Sequence, residues 1–214
     1  MKQVIGIVAA GPKQEIPKLD KYKDIDFWIG VDEGASTLIE SNIQPDLVIG
    51  DFDSIDTEKL ETIKHKAKLV KEFPNEKDET DLELAFIEAI HLKPTTVYVL
   101  GATGGRLDHA WINVHLLVKF AHTDIDAWIV NNQNQMTLKA PGQHWLEKDS
   151  SFPYISFLPF THTVEDLTLK GFKYELENRM IKQGSTLTVS NEWSEKKGTY
   201  FFNSGILLVI KSRD

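Results

Sequence analysis

Residues 47–53 read Leu-Val-Ile-Gly-Asp-Phe-Asp, so two acids, one residue apart, follow a short apolar run. We interpret the run as a buried strand, because parallel strands covered on both faces are continuously apolar. Asp51 and Asp53 then leave its carboxyl end, which is where open α/β sheets bind their ligands. The pair alone is more typical of a turn, since loops favour Asp. A hard cation such as Mg²⁺, which prefers carboxylate oxygens, is the alternative explanation.

Similar apolar runs recur through the first 130 or so residues and are separated by segments of helical periodicity. This alternation predicts βα units and a mainly parallel sheet. Helices are expected from near Ala35, from Thr80 and from Asp108, and Thr80 has the capping-box spacing to Glu83. The predicted strands are residues 4–9, 27–31, 47–49, 96–100 and 127–130.

From about residue 135 apolar and polar residues alternate between closely spaced glycines. Short strands with frequent turn signals indicate an antiparallel β unit. The polar segment 131–134 is the expected junction. We therefore predict an α/β fold with two domains: an N-terminal, mainly parallel α/β domain (residues 1–134) and a C-terminal antiparallel β domain (residues 135–214).

The composition excludes several functions. The chain has 214 residues and no cysteine, which rules out disulfides, thiolate metal sites and a cysteine nucleophile. Its formal net charge is −8 and its Lys and Arg residues form no long block, which disfavours nucleic acid as a partner. No apolar run approaches the roughly 20 residues of a membrane span. We therefore expect a cytoplasmic protein that binds neither nucleic acid nor membrane.

Acidic residues recur wherever a predicted strand of the first half gives way to a loop or helix. In a parallel sheet they would meet at one edge, where their mutual repulsion favours the binding of one or two metal ions. A single acid at a helix start is often only a cap, and that interpretation stays open for Asp81 and Asp108. The acids are Asp32, Asp51 with Asp53, Asp78 with Asp81, and Asp108.

A glycine-rich segment, Gly-Ala-Thr-Gly-Gly-Arg at residues 101–106, follows the predicted strand 96–100. Gly104 and Gly105 allow backbone N–H groups to approach a phosphate closely, and Arg106 adds guanidinium donors. An ordinary tight turn is the alternative. The chain contains neither GxxxxGK(S/T) nor GxGxxG, so a nucleotide site here would have another arrangement.

Three further features have more than one interpretation. His109 could donate to a phosphate, act as a base or simply begin a helix, and Lys77 could neutralise a phosphate or lie in a solvated loop. Residues 190–193, Ser-Asn-Glu-Trp, could hydrogen-bond a polar ring and stack on it, or form a polar β-turn.

Taken together, the motifs resemble those of thiamine pyrophosphokinases, which transfer a pyrophosphoryl group from ATP to thiamine. They cover nearly the whole chain in the family's order. Glu33 stands where the family commonly has a second glycine, and Thr188 stands where a glycine often precedes the Ser-Asn-Glu triplet. The matching segments are residues 32–35, 45–54, 77–81 and 101–109 with Asn113, followed by residues 171–174 and 190–192.

The resemblance implies that the N-terminal domain is a nucleotide-binding domain that takes ATP and that the C-terminal domain is an all-β sandwich that binds thiamine. It further implies a homodimer with the active site at the subunit interface. It also implies that acids hold Mg²⁺ while the thiamine hydroxyl attacks the β-phosphorus of ATP, with Asp108 as a candidate base. The implied metal ligands and catalytic acids are Asp51, Asp53, Asp78 and Asp81. The implied ATP-binding residues are Asp32, Gly34, Lys77, Thr80, Thr103, Gly104, Gly105, Arg106, His109 and Asn113. The implied thiamine-binding residues are Ser190, Asn191, Glu192 and Trp193.

Two other functions fit the same acids. A metal-dependent nucleotide phosphohydrolase would use water in place of thiamine as the attacking group. A non-catalytic nucleotide sensor would keep the site for binding alone.

Overall fold

A computed structural model describes residues 3–53 and 55–214, so Ser54 of the Gly-Asp-Phe-Asp-Ser motif lies outside the described residues. The chain divides into two compact units. The N-terminal unit contains the residues up to Phe120 together with Asp124–Asn132, and the C-terminal unit contains Ala121–Thr123 and Gln133–Asp214. Among the described residues, no helix has both the length and the apolar character that crossing a membrane requires.

Parallel strands form the centre of the N-terminal unit. They are β1 (Val4–Val8), β2 (Phe27–Val31), β3 (Leu47–Gly50), β4 (Val70–Glu72), β5 (Thr96–Leu100) and β6 (Asp126–Val130). Their order is β6-β5-β1-β2-β3-β4, and each neighbouring pair is parallel. The chain therefore adds strands on one side of β1 and then returns to its other side with β5. Such a reversal of strand order opens a crevice at the carboxyl edge.

The helices of this unit are α1 (Gly34–Glu40), α2 (Thr57–Lys66), α3 (Asp81–Leu92), α4 (Leu107–Leu116) and α5 (Val118–Ala121). Thr80 caps α3, because its hydroxyl accepts a hydrogen bond from the Glu83 N–H at 3.2 Å. The Glu83 carboxylate forms an ion pair with Lys119 at 2.9 Å. The Thr80 half of the expected capping box is therefore present, while the Glu83 side chain pairs with Lys119.

The core of the N-terminal unit lies between the sheet and the helices. One cluster of buried side chains includes Val8, Trp28, Leu38 and Leu100. A second joins β3 to α1 and α2, and it consists of Ala35, Val48, Phe52, Ile55 and Ile63.

The C-terminal unit is built from antiparallel strands. They are β7 (Asn134–Lys139), β8 (Gly142–Glu147), β9 (Tyr154–Pro159), β10 (Thr163–Lys170), β11 (Leu176–Lys182), β12 (Asn191–Glu192), β13 (Lys197–Phe202) and β14 (Leu207–Ser212). They pair in the orders β12-β9-β14-β7 and β11-β10-β13-β8. The ring of Phe157 on β9 packs against Tyr200 on β13 at 5.2 Å, which joins the two layers. The predicted α/β fold class with an antiparallel β domain is confirmed.

Candidate active site

A cavity of about 500 Å³ lies at the carboxyl edge of the parallel sheet. Two of its walls are the loops that follow β1 and β5, and these loops are joined by the Gly11 N–H, which donates to the Gly101 carbonyl at 2.9 Å. Residues 9–12 belong to the lining but were not among the predicted site residues. Their only sequence signal is the Gly-Pro step that ends the first apolar run. The cavity occupies the crevice that the reversed strand order opens.

Three acids from different elements meet beside this cavity. Asp32 follows β2, Asp51 follows β3 and Asp81 begins α3. Each offers a carboxylate oxygen, and these oxygens all lie within 4.8 Å of one another. Burial, followed by the charges of Asp81 and Asp51, raises the pKa of Asp32 to about 7. The group is therefore an excess of negative charge that a hard cation would relieve.

Asp32 has an unusual place in this group. Its Oδ1 atom is buried and has no hydrogen-bond partner among the described residues. Its backbone is left-handed, with φ of 47°, which turns the side chain back across the end of the sheet. A β-carbon built on Gly50 would lie 2.0 Å from this oxygen, so the glycine leaves the space that Asp32 occupies. An unsatisfied buried carboxylate oxygen is costly, and a bound cation would satisfy it.

Lys77 supplies positive charge to the acids. Its Nζ lies 3.1 Å from Asp81 Oδ1 and 3.5 Å from Asp51 Oδ2, and it also donates to the Pro74 carbonyl at 3.1 Å. Burial opposes the charge of Lys77, but the hydrogen bonds and charges of Asp81 and Asp51 outweigh it and raise its pKa. The sequence suggested a phosphate contact or a solvated loop for this lysine. The structure places it inside the acid group.

The structure does not bring Asp53 and Asp78 into the group. Both are exposed, and Asp53 Oδ2 accepts a hydrogen bond from the Asn75 amide at 2.8 Å. Phe52 separates Asp53 from Asp51, because its left-handed backbone (φ 58°) turns the chain while its ring is buried in the core. The third acid of the observed group is Asp32, which the sequence had assigned to ATP.

The glycine-rich turn follows β5 and lines the cavity. Gly104 and Gly105 are exposed and left-handed, with φ of 95° and 67°, and both line the cavity. The Asn113 amide donates to the Ala102 carbonyl at 2.8 Å, and the Asn131 amide donates to the Thr103 hydroxyl at 2.9 Å. Asn113 and Thr103 therefore brace the turn, and Asn113 also faces the cavity.

Arg106 and Asp108 form an exposed ion pair at the start of α4. Arg106 Nη2 lies 2.6 Å from Asp108 Oδ2, and the His109 N–H donates to Asp108 Oδ1 at 3.0 Å. The hydrogen bond from Arg106, followed by the one from the His109 backbone, lowers the pKa of Asp108 to about 2. An acid held ionised in this way is a weak proton acceptor, which argues against the base role expected for Asp108. Arg106 and His109 both line the cavity.

Two other residues predicted to bind ATP have structural roles. Gly34 is buried at the start of α1, and a β-carbon there would lie 1.9 Å from the Val8 carbonyl oxygen. It therefore lets α1 approach β1. Thr80 caps α3 with its hydroxyl and also lines the cavity.

In the C-terminal unit, the segment predicted to bind thiamine is held by its own side chains. Asn191 is 2% exposed, its Oδ1 accepts from the N–H groups of Tyr174 and Glu192, and its Nδ2 donates to the Tyr174 carbonyl, all at 2.8–2.9 Å. Trp193 is 8% exposed and its indole N–H donates to the Phe152 carbonyl at 3.2 Å. The structure thus gives Asn191 and Trp193 supporting contacts within the unit.

Two neighbours in the same segment are more accessible. Ser190 is exposed with a left-handed backbone (φ 54°), and its N–H donates to the Ser156 hydroxyl at 3.0 Å. Glu192 is half-buried and pairs with Lys173 at 2.5 Å. Of the four predicted thiamine contacts, these two present polar groups at the surface of the unit.

The fold and the cavity define the class of protein: an α/β protein whose parallel sheet carries an acid group and a glycine-rich turn at its carboxyl edge, a site suited to a hard cation and a polyanion. The family model described as "Thiamin pyrophosphokinase, catalytic domain" matches residues 20–129, and "Thiamin pyrophosphokinase, vitamin B1 binding domain" matches residues 143–207. The chain belongs to the thiamin pyrophosphokinase family, as the resemblance of its motifs indicated.

Relatives support the same assignment over the full chain. A thiamine pyrophosphokinase of Bacillus subtilis is 43% identical over 99% of this chain and 100% of its own length. A crystal structure of the Bacillus subtilis enzyme has a TM-score of 0.93 at 42% identity, covering 99% of this chain and 100% of that one. The thiamin pyrophosphokinase of Geobacillus thermodenitrificans has a TM-score of 0.91 at 40% identity, covering 99% and 98%. The protein is therefore an enzyme of this family.

Proposed function

We propose that the protein is a thiamine diphosphokinase, which transfers the pyrophosphoryl group of ATP to the hydroxyl of thiamine and releases AMP. The observation that carries this proposal is the meeting of the Asp32, Asp51 and Asp81 oxygens beside the glycine-rich turn, in a chain of this family. The hydroxyl oxygen forms a bond to the β-phosphorus, the bond from that phosphorus to the α–β bridging oxygen breaks so that this oxygen leaves with AMP, and the hydroxyl proton passes to solvent water.

The acid group fits Mg²⁺, because its donors are all carboxylate oxygens and two of them, Asp32 Oδ1 and Asp81 Oδ1, are buried without a hydrogen-bond partner among the described residues. Asp51 and Asp81, together with Asp32, would hold the ion, while Asp53 and Asp78 would act from outside this group. When bound, Mg²⁺ would neutralise charge on the phosphates and on the leaving AMP.

The chain's own groups would position the phosphates. The exposed backbone of Gly104 and Gly105 offers N–H donors, and the start of α4 adds its positive end. Arg106 can reach a phosphate once it releases Asp108, since both side chains are exposed. We therefore assign Asp108 to holding Arg106 in place before ATP arrives. His109, Thr80 and Asn113 complete the proposed ATP contacts from the lining of the cavity.

Positioning accounts for most of the expected rate acceleration. A phosphoryl-type transfer depends on in-line alignment and on stabilisation of developing charge, whereas a general base adds only about 10² to 10⁴. The low pKa of Asp108 is therefore no obstacle to the reaction. Water must also be kept away from the β-phosphorus, because its attack would hydrolyse ATP.

The C-terminal unit is the proposed site of thiamine binding. Ser190 and Glu192 present the accessible polar groups, while Asn191 and Trp193 hold the segment that carries them. A homodimer with the active site at the subunit interface is part of the proposal, on the ground of the family resemblance. So is a cytoplasmic location.

Product analysis tests the proposal. Purified protein is incubated with ATP, Mg²⁺ and thiamine, and the products are separated and identified. Thiamine diphosphate formed together with an equal amount of AMP supports the transferase. Phosphate release that does not depend on thiamine would instead identify a phosphohydrolase, and ATP binding without product would identify a nucleotide sensor. Sedimentation of the same sample gives the number of subunits.

A further inference from the structure

We infer that Lys77 is an internal counter-ion of the acid group: its ammonium holds Asp51 and Asp81 in the metal-free protein and competes with a divalent cation for them. This inference rests on the metal site in the proposed function. It adds a role for a lysine for which the sequence suggested only a phosphate contact or a solvated loop.

The Lys77 ammonium is surrounded by oxygen atoms. An ammonium has three donors. The Lys77 ammonium donates to Asp51 Oδ2 at 3.5 Å and to the Pro74 carbonyl at 3.1 Å, and it forms an ion pair with Asp81 Oδ1 at 3.1 Å. The Lys77 side chain is 12% exposed, and those of Asp51 and Asp81 are 16% and 14% exposed. Because water is largely excluded, the attraction among these charges is screened less than on an open surface.

Other ion pairs of the N-terminal unit lie nearer to water. In the pair of Lys71 and Glu88, the N···O distance is 2.6 Å, but the side chains are 38% and 25% exposed. In the pair of Lys68 and Asp46 the lysine is 61% exposed. Lys71 thus provides a matched control, since it is a lysine in a close ion pair that lies outside the acid group.

A divalent cation cannot use the same oxygens freely while the ammonium is present. Asp51 Oδ2 and Asp81 Oδ1 both face Lys77 Nζ, and Asp51 Oδ1 accepts the Asp53 N–H at 3.2 Å. Two positive charges at one site repel each other, so the entering ion must displace the ammonium or share its ligands. In the metal-free protein the same ammonium reduces the electrostatic repulsion between the Asp51 and Asp81 carboxylates.

Displacement would also free Lys77 for another partner. The residue lies in the segment between β4 and α3, and its ammonium lies 3.1 Å from Asp81 Oδ1. Once the cation takes over Asp51 and Asp81, the ammonium can pair with an incoming phosphate. Metal entry and the phosphate contact of Lys77 would then occur in that order.

The test measures Mn²⁺ binding without ATP or thiamine, by calorimetry or by electron paramagnetic resonance of free Mn²⁺. The variants are Lys77→Met, Lys77→Gln and the control Lys71→Met. Removing a positive charge within about 4 Å should tighten Mn²⁺ binding at least roughly tenfold in both Lys77 variants. Lys71→Met should bind as the wild type does. Equal or weaker Mn²⁺ binding in the Lys77 variants, or no Mn²⁺ binding by any of the proteins, would overturn the inference.

Thermal unfolding gives a second measurement. In EDTA, Lys77→Gln should have a lower Tm than the wild type, and Mn²⁺ should raise its Tm by more than it raises that of the wild type. A lower Tm with no larger gain from Mn²⁺ would mean that Lys77 only supports the fold. Product analysis of the wild type judges the proposed function separately, because it does not depend on how the Lys77 variants bind Mn²⁺.

Discussion

A β-carbon on Gly50 would lie 2.0 Å from Asp32 Oδ1, so the missing side chain of one residue makes room for the carboxylate of the other. Gly50 ends β3 and Asp32 follows β2, and the two strands are parallel neighbours. The acid group therefore depends on a glycine that itself carries no chemistry.

Gly50→Ala should displace Asp32 and weaken Mn²⁺ binding by at least roughly tenfold, with a loss of about 1–3 kcal/mol in the free energy of unfolding from overpacking. Asp32→Gly removes the clashing carboxyl and suits the left-handed backbone at that position. The double variant should then be more stable than the sum of the two single effects, by about 0.5–3 kcal/mol. Urea unfolding of the three variants measures this coupling, and strictly additive losses would contradict it.

Asp32→Asn should change how stability depends on pH in the metal-free protein. The folded-state pKa of Asp32, about 7, lies above the usual aspartate value of 3.8, so the folded wild type binds more protons than the unfolded chain between these pH values. Its stability must then fall as pH rises from about 4 to 7. The groups that face Asp32 are Asp81, Asp51 and Lys77.

The side-chain amide that Asp32→Asn introduces cannot ionise, and asparagine tolerates a left-handed backbone. The variant should therefore match the wild type near pH 4 and exceed it by roughly 1–3 kcal/mol at pH 8, after allowance for the partial exposure of the site. Urea unfolding in EDTA at the two pH values measures the difference. Parallel pH profiles for the two proteins would show that Asp32 carries no such penalty.

Asp51→Asn and Asp108→Asn should separate the metal-binding acid from the exposed one. We expect Asp51→Asn to lower kcat/KM for thiamine diphosphate formation by about 10² or more, while the protein stays folded. Asp108→Asn should lower kcat/KM by less than about tenfold, because Arg106 holds Asp108 ionised and makes it a weak proton acceptor. Loss of a true general base would cost about 10² to 10⁴. Steady-state kinetics with circular dichroism as a control decide this. A loss of about 10³ in kcat/KM for Asp108→Asn would instead support Asp108 as the general base.

Asn191→Ala should destabilise the C-terminal unit by about 2–4 kcal/mol, because it removes three hydrogen bonds of a side chain that is 2% exposed, two to the Tyr174 backbone and one to the Glu192 N–H. Asn203→Ala is a matched control, since Asn203 donates to Asp166 at 2.7 Å in an exposed pair. Its cost should stay below about 1 kcal/mol. Chemical unfolding of both variants measures the difference, and equal losses would mean that burial of the Asn191 bonds does not matter.

Much of the fold could be predicted from periodicity. All five predicted strands of the N-terminal unit are present, and helices begin close to Ala35, Thr80 and Asp108. The strand β4 and the helix α2 were not predicted. β4 has three residues, two of them charged, and α2 is mostly polar with Ile63 as its buried residue. Neither segment has the apolar pattern on which such a prediction relies.

The acid group was only partly predictable. The sequence placed Asp51 and Asp81 near a metal, and the structure brings them together with Asp32. The sequence could not exclude Asp53. In an extended chain, residues two positions apart point to the same side, so Asp51 and Asp53 would both face the site. Phe52 adopts a left-handed conformation and buries its ring, which separates Asp53 from Asp51. The roles of these residues in catalysis stay predictions.

The sequence by itself determined the types of secondary structure, the presence of acids and glycines at strand ends, and the family, because these depend on residue chemistry and on spacing along the chain. Only the tertiary structure decided which side chains share the site. The order of the strands, the space that Gly50 leaves for the Asp32 carboxylate and the ammonium of Lys77 between two carboxylates all involve residues far apart in the chain. Such contacts are set by packing, for which a single sequence carries no local signal.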